Sequence, residues 1–356
     1  MSLLYALAKY PLMALPPETA HNFTVTALKS GLIPAQKINT NPILENNVFG
    51  LHFSNPVGLA AGFDKNADTM AAMFNLGMGF VEIGTVTPQP QKGNPKQRVF
   101  RAAKNNAVIN RMGFPNGGLD KFKDHVTHFL MTRKADQTLG INIGKNKDTE
   151  DPYEDYINLI QSLGSLADYI TVNISSPNTP GLRELQKSEF LAQMIRRVKA
   201  ARSDYCTLKK PPILVKLSPD MTDEEMQMAA QACIAEKVDG LILTNTTLDR
   251  PEDLPLKFRQ QQGGLSGKPL TDRSTAVIAK FYALTKGTIP IIGIGGILSA
   301  EDAYTKIKAG ASLIQLYTGL IYRGPTLIKE IRDKLPSFLE KDGFSRISDA
   351  IGCDVK

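Results

Sequence analysis

Tyr169-Ile-Thr-Val-Asn-Ile-Ser-Ser-Pro-Asn-Thr-Pro180 decides how this chain is read. An apolar, β-branched run from Tyr169 to Ile174 stops abruptly in Asn, Ser and Pro, as a buried strand does when its C-terminal end empties into a polar loop. Pro177 and Pro180 fix φ and remove N–H donors, so Asn173, Ser176 and Asn178 stand on a stiff template that can face one small polar ligand. The same residue types also build ordinary turns. The rest of the chain decides between the two readings.

From Pro56 onward strand and helix alternate. Apolar runs fall at Val57–Ala61, Phe80–Thr85, Leu139–Ile143, Ile170–Ile174, Ile213–Leu217, Leu241–Thr244, Ile291–Ile294 and Leu313–Tyr317. Helical patterns lie between them, at Ala67–Leu76, Asp155–Leu163, Phe190–Arg202, Asp223–Glu236, Ser274–Leu284 and Ala300–Ala309. The strands lack alternation, as parallel strands buried on both faces should. Eight such units indicate an α/β fold, a (β/α)8 TIM barrel. Two insertions break the rhythm: Gln89–Leu119 after the second strand, with a hairpin-like segment Arg98–Ala102, and the Gly-rich Asp249–Lys268 after the sixth. Both leave the C-terminal rim, where barrel enzymes keep lids and substrate contacts.

Composition sets the outer bounds. With 356 residues, 42% hydrophobic and 22% charged, the chain has the make-up of a globular enzyme. A formal charge of +7 suits nucleic acid, an anionic lipid surface or anionic small molecules, and does not choose among them. Cys206, Cys233 and Cys353 are odd in number and widely spaced, which argues against disulfides, zinc or an iron–sulfur cluster and for a reducing, cytoplasmic setting. Ser2–Tyr10 lacks a basic start and is too short to span a bilayer. It reads as a first short amphipathic helix carrying Leu3, Leu4, Leu7 and Ala8. A second runs from Pro17 to Gly31 with Ala20, Phe23, Ala27 and Leu28 on one face. Such a pair either caps the barrel or lies on a membrane interface.

Every strand delivers polar or glycine residues to one rim, which points to an active site there. Gly293, Gly295 and Gly296, with Ser299 to cap the next helix and Tyr317-Thr-Gly319 as companion wall, read as a phosphate site. Lys216 interrupts an apolar strand and needs an anionic or electron-rich partner. Reduced flavin is one such partner; a Schiff-base substrate is the rival.

The ordered motifs Ala60-Ala-Gly-Phe-Asp-Lys65, Glu82-Ile-Gly-Thr85, Asn110-Arg-Met-Gly-Phe114, Val172–Asn178, Val215-Lys-Leu-Ser-Pro219, Thr244-Asn-Thr-Thr247, Gly263-Gly-Leu-Ser-Gly267 and Ile294-Gly-Gly-Ile297 resemble dihydroorotate dehydrogenases from about Pro17 to the eighth helix. The segment Pro17-Glu-Thr-Ala-His21, and serine rather than cysteine at 176, resemble the class 2, quinone-dependent members. Phe63 and Pro115 depart from the family pattern, where Leu and Asn are expected, without removing a ligand group.

The resemblance implies oxidation of dihydroorotate to orotate in pyrimidine (UMP) biosynthesis, with FMN as hydride acceptor and a membrane quinone as final acceptor. It implies FMN contacts at Ala61, Gly62, Phe63, Asp64, Lys65, Thr85, Asn142, Asn173, Lys216, Thr244, Gly267, Gly296, Tyr317 and Thr318. Substrate contacts would come from Lys65, Asn110, Arg111, Met112, Gly113, Phe114, Asn173, Asn178, Asn245 and Thr246, with Ser176 as the proton-abstracting base. His21, Arg101 and Tyr317 would lie near the quinone. Residues 1–40 would form a helical membrane- and quinone-binding extension and 41–356 the FMN-binding barrel. The expected enzyme is a monomer, peripheral on the cytoplasmic face of the cell inner membrane, with no metal and no nucleic-acid partner. A dihydrouridine synthase would need a basic RNA-binding extension, which the sequence does not show. A flavin-free phosphosugar barrel would lack the Asn set, and a non-catalytic membrane-surface protein leaves the polar strand ends unexplained.

Overall fold

In the computed structural model, which describes residues 9–31, 35–36, 41–179 and 181–355, the barrel strands form where apolar β-branched runs meet turn residues. An antiparallel hairpin comes first, β1 (Asn46–Val48) with β2 (Leu51–Phe53). The barrel strands are β3 (Val57–Leu59), β4 (Phe80–Val86), β7 (Thr138–Ile143), β8 (Tyr169–Asn173), β9 (Ile213–Leu217), β10 (Gly240–Leu243), β12 (Ile291–Ile294) and β13 (Ala311–Leu316), parallel throughout and closed β13 to β3. The expected (β/α)8 barrel is therefore present, with strand ends shifted by a residue or two. The two insertions supply β5 (Val99–Ala102), β6 (Ala107–Asn110) and β11 (Gly264–Gly267), which join in one antiparallel sheet of order β11-β6-β5. They do close over one place, and they do so through a shared ladder.

The barrel interior is layered by the two-residue period of its strands. Phe80, Tyr169, Ile242 and Leu313, from alternate strands, pack with Leu214, Ile292, Phe53 and Val48 into an apolar plug. The hairpin β1–β2, whose three-residue strands are too short to show a period in sequence, thus seals one end. Two residues further along the same strands, the chemistry turns polar: Glu82, Thr171, Thr244, Gln315 and Lys216. A second, larger apolar core fills the space between barrel and outer helices.

Of the two N-terminal helices, Leu3–Ala8 lies outside the described residues. Residues 9–14 are helical, and α1 (Pro17–Lys29) has proline at its first turn, as expected. The C-terminal tail, unreadable in sequence, serves the helix Ala300–Lys308: Gly352 N–H donates to Ile307 O and Asp354 N–H to Lys308 O, both at 3.1 Å, satisfying carbonyls of its last turn. No helix of the described residues is long and apolar enough to cross a membrane.

The plug leaves no room beside Tyr169. A Cβ at Gly140 would lie 2.1 Å from its ring, and both residues are buried. Gly140→Ala is expected to cost roughly 1–3 kcal/mol by overpacking; urea denaturation that shows no loss would contradict this packing.

Candidate active site

One cavity of about 600 Å³ occupies the C-terminal rim, inside the roughly 300–1,000 Å³ common for small-molecule sites. Asn173, Lys216 and Gln315 reach it from the barrel, Val99, Val108 and Ser266 from the three-stranded sheet, and Leu12, Met13, Ala20, His21 and Thr24 from the N-terminal helices.

Its polar part is a connected set of amides. Asn178 Nδ2 donates to Asn110 Oδ1 (3.2 Å), joining the loop after β8 to the end of β6. Asn245 Nδ2 donates to Ser175 Oγ (2.9 Å) and to Asn173 Oδ1 (3.4 Å). Asn173 Nδ2 donates to Thr85 Oγ1 (3.0 Å), which donates to Asn142 Oδ1 (2.6 Å). Ser176 is buried in this wall, and its Oγ accepts from Asn178 N–H at 3.2 Å. Arg183 holds the loop from behind, donating to Asp220 (3.0 Å), Thr246 O (3.1 Å) and Ser175 O (3.4 Å).

Two lysines bring positive charge. Lys65 Nζ donates to Gly62 O at 2.6 Å, and burial pushes its ammonium down to about 8, with Asp64 and Glu18 working against that fall. Burial also lowers Lys216, which Glu82 partly restores; among the described residues its Nζ has no hydrogen-bond partner. At another wall Gly267, Gly295 and Gly296 adopt φ of 95°, 120° and 71°, values that favour glycine. A Cβ on Gly296, which lines the cavity, would lie 2.2 Å from Thr271 Oγ1, so packing against Thr271 excludes a side chain there. Ser299 caps its helix as expected, accepting from Asp302 N–H at 3.1 Å. That helix end does not line the cavity, however: Leu298, Ser299 and Ala300 lie off its wall, where the Asp302 carboxylate takes Leu298 N–H at 2.9 Å, and Thr318 and Gly319 of the helix Thr318–Arg323 line the wall instead.

The N-terminal helices form an apolar arm of the same space. His21 meets Phe63 edge-on (5.4 Å) and Phe63 meets Tyr317 (5.9 Å). Arg101 donates to Leu12 O (3.2 Å), Met13 O (3.1 Å) and Leu15 O, closing the end of the first helix. Tyr10, Leu15 and Phe23 remain exposed, at 80%, 37% and 62%.

Most of the residues expected at the site do line this cavity, from Ala61, Gly62, Phe63 and Lys65 through Met112, Gly113 and Phe114 to Thr318. Asp64, Asn142 and Arg111 do not. Asp64 turns its carboxylate to Asp68 N–H and Thr69 N–H, Asn142 bonds Glu82, Thr85 and Asn173 behind the wall, and Arg111 is spent on Gln261, Gln262 and Gln97. Sequence reasoning missed Ser266 and Gln315, which line the cavity, and Ser175 behind it, which accepts from Asn245. Gln315 carries the same signal as Lys216, a polar residue inside an apolar strand. His125 lies away from the cavity and bonds Asn66 O at 2.8 Å.

The sequence profile of the family described as Dihydroorotate dehydrogenase matches residues 43–339. This chain belongs to the dihydroorotate dehydrogenase family. A protein of Rhodospirillum rubrum called dihydroorotate dehydrogenase (quinone) is 48% identical over 98% of this chain and 94% of its own. A Mus musculus relative, called dihydroorotate dehydrogenase (quinone), mitochondrial, is 47% identical over 96% of this chain and 87% of its own. The crystal structure of an Eimeria tenella dihydroorotate dehydrogenase in complex with ferulenol superposes with a TM-score of 0.92, at 40% identity over 97% of this chain and 98% of that one.

In this chain α1 is docked by polar groups that acid disarms. Arg98, buried in β5's approach, holds Glu18 at 2.6 Å, and the Glu18 carboxyl lies below its ordinary range chiefly through that bond. Burial, then Lys65, pushes His21 down to about 3. Both folded values are depressed, so docking is strongest above the free pKa and weakens as pH falls, from about 6.5 for histidine and about 4.3 for glutamate. Hydrogen exchange in residues 17–29, corrected for intrinsic rates, should rise between pH 7.5 and 5 and should rise at pH 7.5 in Arg98→Met. Equal protection in all three conditions would contradict this account of docking.

Proposed function

We propose that this chain oxidises dihydroorotate to orotate, using FMN as hydride acceptor and a membrane quinone as final acceptor, in pyrimidine biosynthesis. The observation that carries the reading is the convergence of Asn110, Asn173, Asn178 and Asn245 with Lys65 in the cavity that Lys216 and the glycine loop also enter. Dihydroorotate is a ring imide with a carboxylate. Amides supply both donors and acceptors to the ring, and Lys65 offsets the carboxylate charge.

The cavity suits a flavin mononucleotide. Lys216 Nζ and Gln315 Oε1 have no partner among the described residues, so the floor offers one free donor and one free acceptor to a polar ring edge. Gly295, Gly296 and Gly319 offer bare backbone to a phosphate. Ala61, Gly62, Thr85, Thr244, Gly267, Tyr317 and Thr318 would complete the holding set. Bound there, FMN would supply hydride acceptance from a substrate carbon and two-electron transfer to a second substrate.

The protein's own contribution is orientation and proton handling. Asn110, Asn178 and Asn245 fix the ring plane, which leaves C5 to face Ser176. Ser176 Oγ takes the C5 proton while its own hydroxyl proton passes to solvent water, the C5–H electron pair becomes the C5–C6 double bond as hydride leaves C6, and Asn178 N–H stabilises the negative charge that develops on Oγ. Proline flanks this loop at 177 and Arg183 ties its backbone, so the hydroxyl is held in place through the step.

The apolar arm between α1, residues 9–14 and β5 fits a quinone, with His21, Arg101 and Tyr317 as polar contacts. The exposed Tyr10, Leu15 and Phe23 beside it suit a lipid surface. On this reading residues 1–40 are the membrane- and quinone-facing extension, 41–356 the catalytic barrel, and the enzyme is a peripheral monomer on the cytoplasmic face of the inner membrane.

Detergent-solubilised protein should oxidise dihydroorotate with a ubiquinone analogue and not with fumarate or NAD; turnover with the latter two alone would remove the quinone assignment. Ser176→Ala should retain FMN yet reduce it about 10²–10⁴-fold more slowly in stopped flow. An undiminished rate removes Ser176 from the mechanism.

A further inference from the structure

Lys306, in the helix Ala300–Lys308, is fully buried, yet among the described residues it forms no salt bridge. Its Nζ donates to Thr271 O (3.2 Å), Thr275 Oγ1 (2.9 Å) and Ser274 Oγ, all neutral acceptors. These belong to the first five residues of the helix Thr271–Leu284, an end that already carries positive dipole. An ammonium there is opposed by desolvation and by the helix field. Burial pushes it down to about 7, with Asp302 and Asp272 raising it and Lys268 lowering it. A buried cation of this kind is relieved by an anion nearby.

The wall beyond that turn is the glycine loop. Thr271 Oγ1 donates to Gly296 O (2.8 Å) and Ser274 Oγ to Gly295 O (3.1 Å), so one residue separates Lys306 from each glycine. The contact is tight: a Cβ on Gly295 would lie 2.9 Å from Ser274 Oγ, and one on Gly296 2.6 Å from Thr271 N. Gly295 and Gly296 face the cavity and the lysine lies behind them.

We propose that Lys306 is a positioning residue for a phosphate monoester held on the Gly295–Gly296 loop, supplying positive charge from behind the loop and fixing the turn that places it. This role rests on the FMN reading. Lys306 touches neither cofactor nor substrate; it acts through Thr271 and Ser274. Its effect is confined to the phosphate, so it contributes to affinity for FMN and nothing to affinity for riboflavin, which lacks that group.

The test uses the full-length protein and two variants, Lys306→Met and Lys306→Gln, the second keeping a polar head toward the three acceptors should the first fail to fold. Dissociation constants for FMN and for riboflavin are read from the quenching of flavin fluorescence in folded protein. The expected result is an FMN constant at least tenfold weaker in a variant, with the riboflavin constant within twofold of wild type. Inorganic phosphate alone should compete with FMN in the wild type and less well in the variants. Equal weakening of both flavins, or undiminished FMN binding, overturns the proposal and leaves the lysine a structural tie. Wild-type protein that binds neither flavin overturns the FMN reading itself.

Discussion

A carboxylate with no solvent exposure sits in the middle of the barrel, and the order of everything above it depends on how that charge is satisfied. Glu82 accepts from Asn142 (2.8 Å), Tyr169 (3.0 Å), Thr171 (3.2 Å) and Gln315 (2.8 Å), which draws β7, β8 and β13 onto β4. An ionised group buried without such donors costs several kcal/mol. Each donor is thereby committed: burial, and then Glu82, hold the Tyr169 hydroxyl protonated, Asn142 turns its Oδ1 toward Thr85 and Asn173, and Gln315 is left with its Oε1 free. Lys216, in the field of the same carboxylate, keeps more of its charge than burial alone would allow. The donor and acceptor pattern of the cavity floor is therefore sorted one layer below it.

The barrel was legible because its signals are periodic and local. Val57, Phe80, Leu139, Ile170, Ile213, Leu241, Ile291 and Leu313 each begin or sit at the start of an apolar run bounded by turn residues, and each run is a strand. The hairpin Asn46–Phe53 and the tail after Ile347 were not legible, because strands of three residues and a single 3-10 turn carry no period; tertiary contact with Phe80 and Tyr169, or with Ile307 and Lys308, makes them.

The site divides along the same line. Residues on strand ends, such as Asn173, Lys216 and Thr244, were found because the sequence shows a polar group where apolar ones belong. Motif membership alone could not tell which side chains of a loop face inward. Asp64 and Arg111 lie in the expected motifs, but their side chains are consumed by backbone groups of neighbouring loops. Lys306 shows the converse: it occupies an ordinary position of an amphipathic helix, and only the packing of Thr271 and Ser274 against it shows that it is buried on neutral acceptors, with no salt bridge among the described residues.

The ladder between β11 and β6 joins segments that are far apart in the chain. Gly264 pairs with Asn110, Leu265 with Ile109, Ser266 with Val108 and Gly267 with Ala107, so a residue added to or lost from either strand reverses which of its side chains face the cavity. The loop after the second barrel strand and the loop after the sixth are consequently bound to vary together. A change of length in one strand has to be matched in the other to keep the register, and a graft of either onto another barrel would have to carry the other with it.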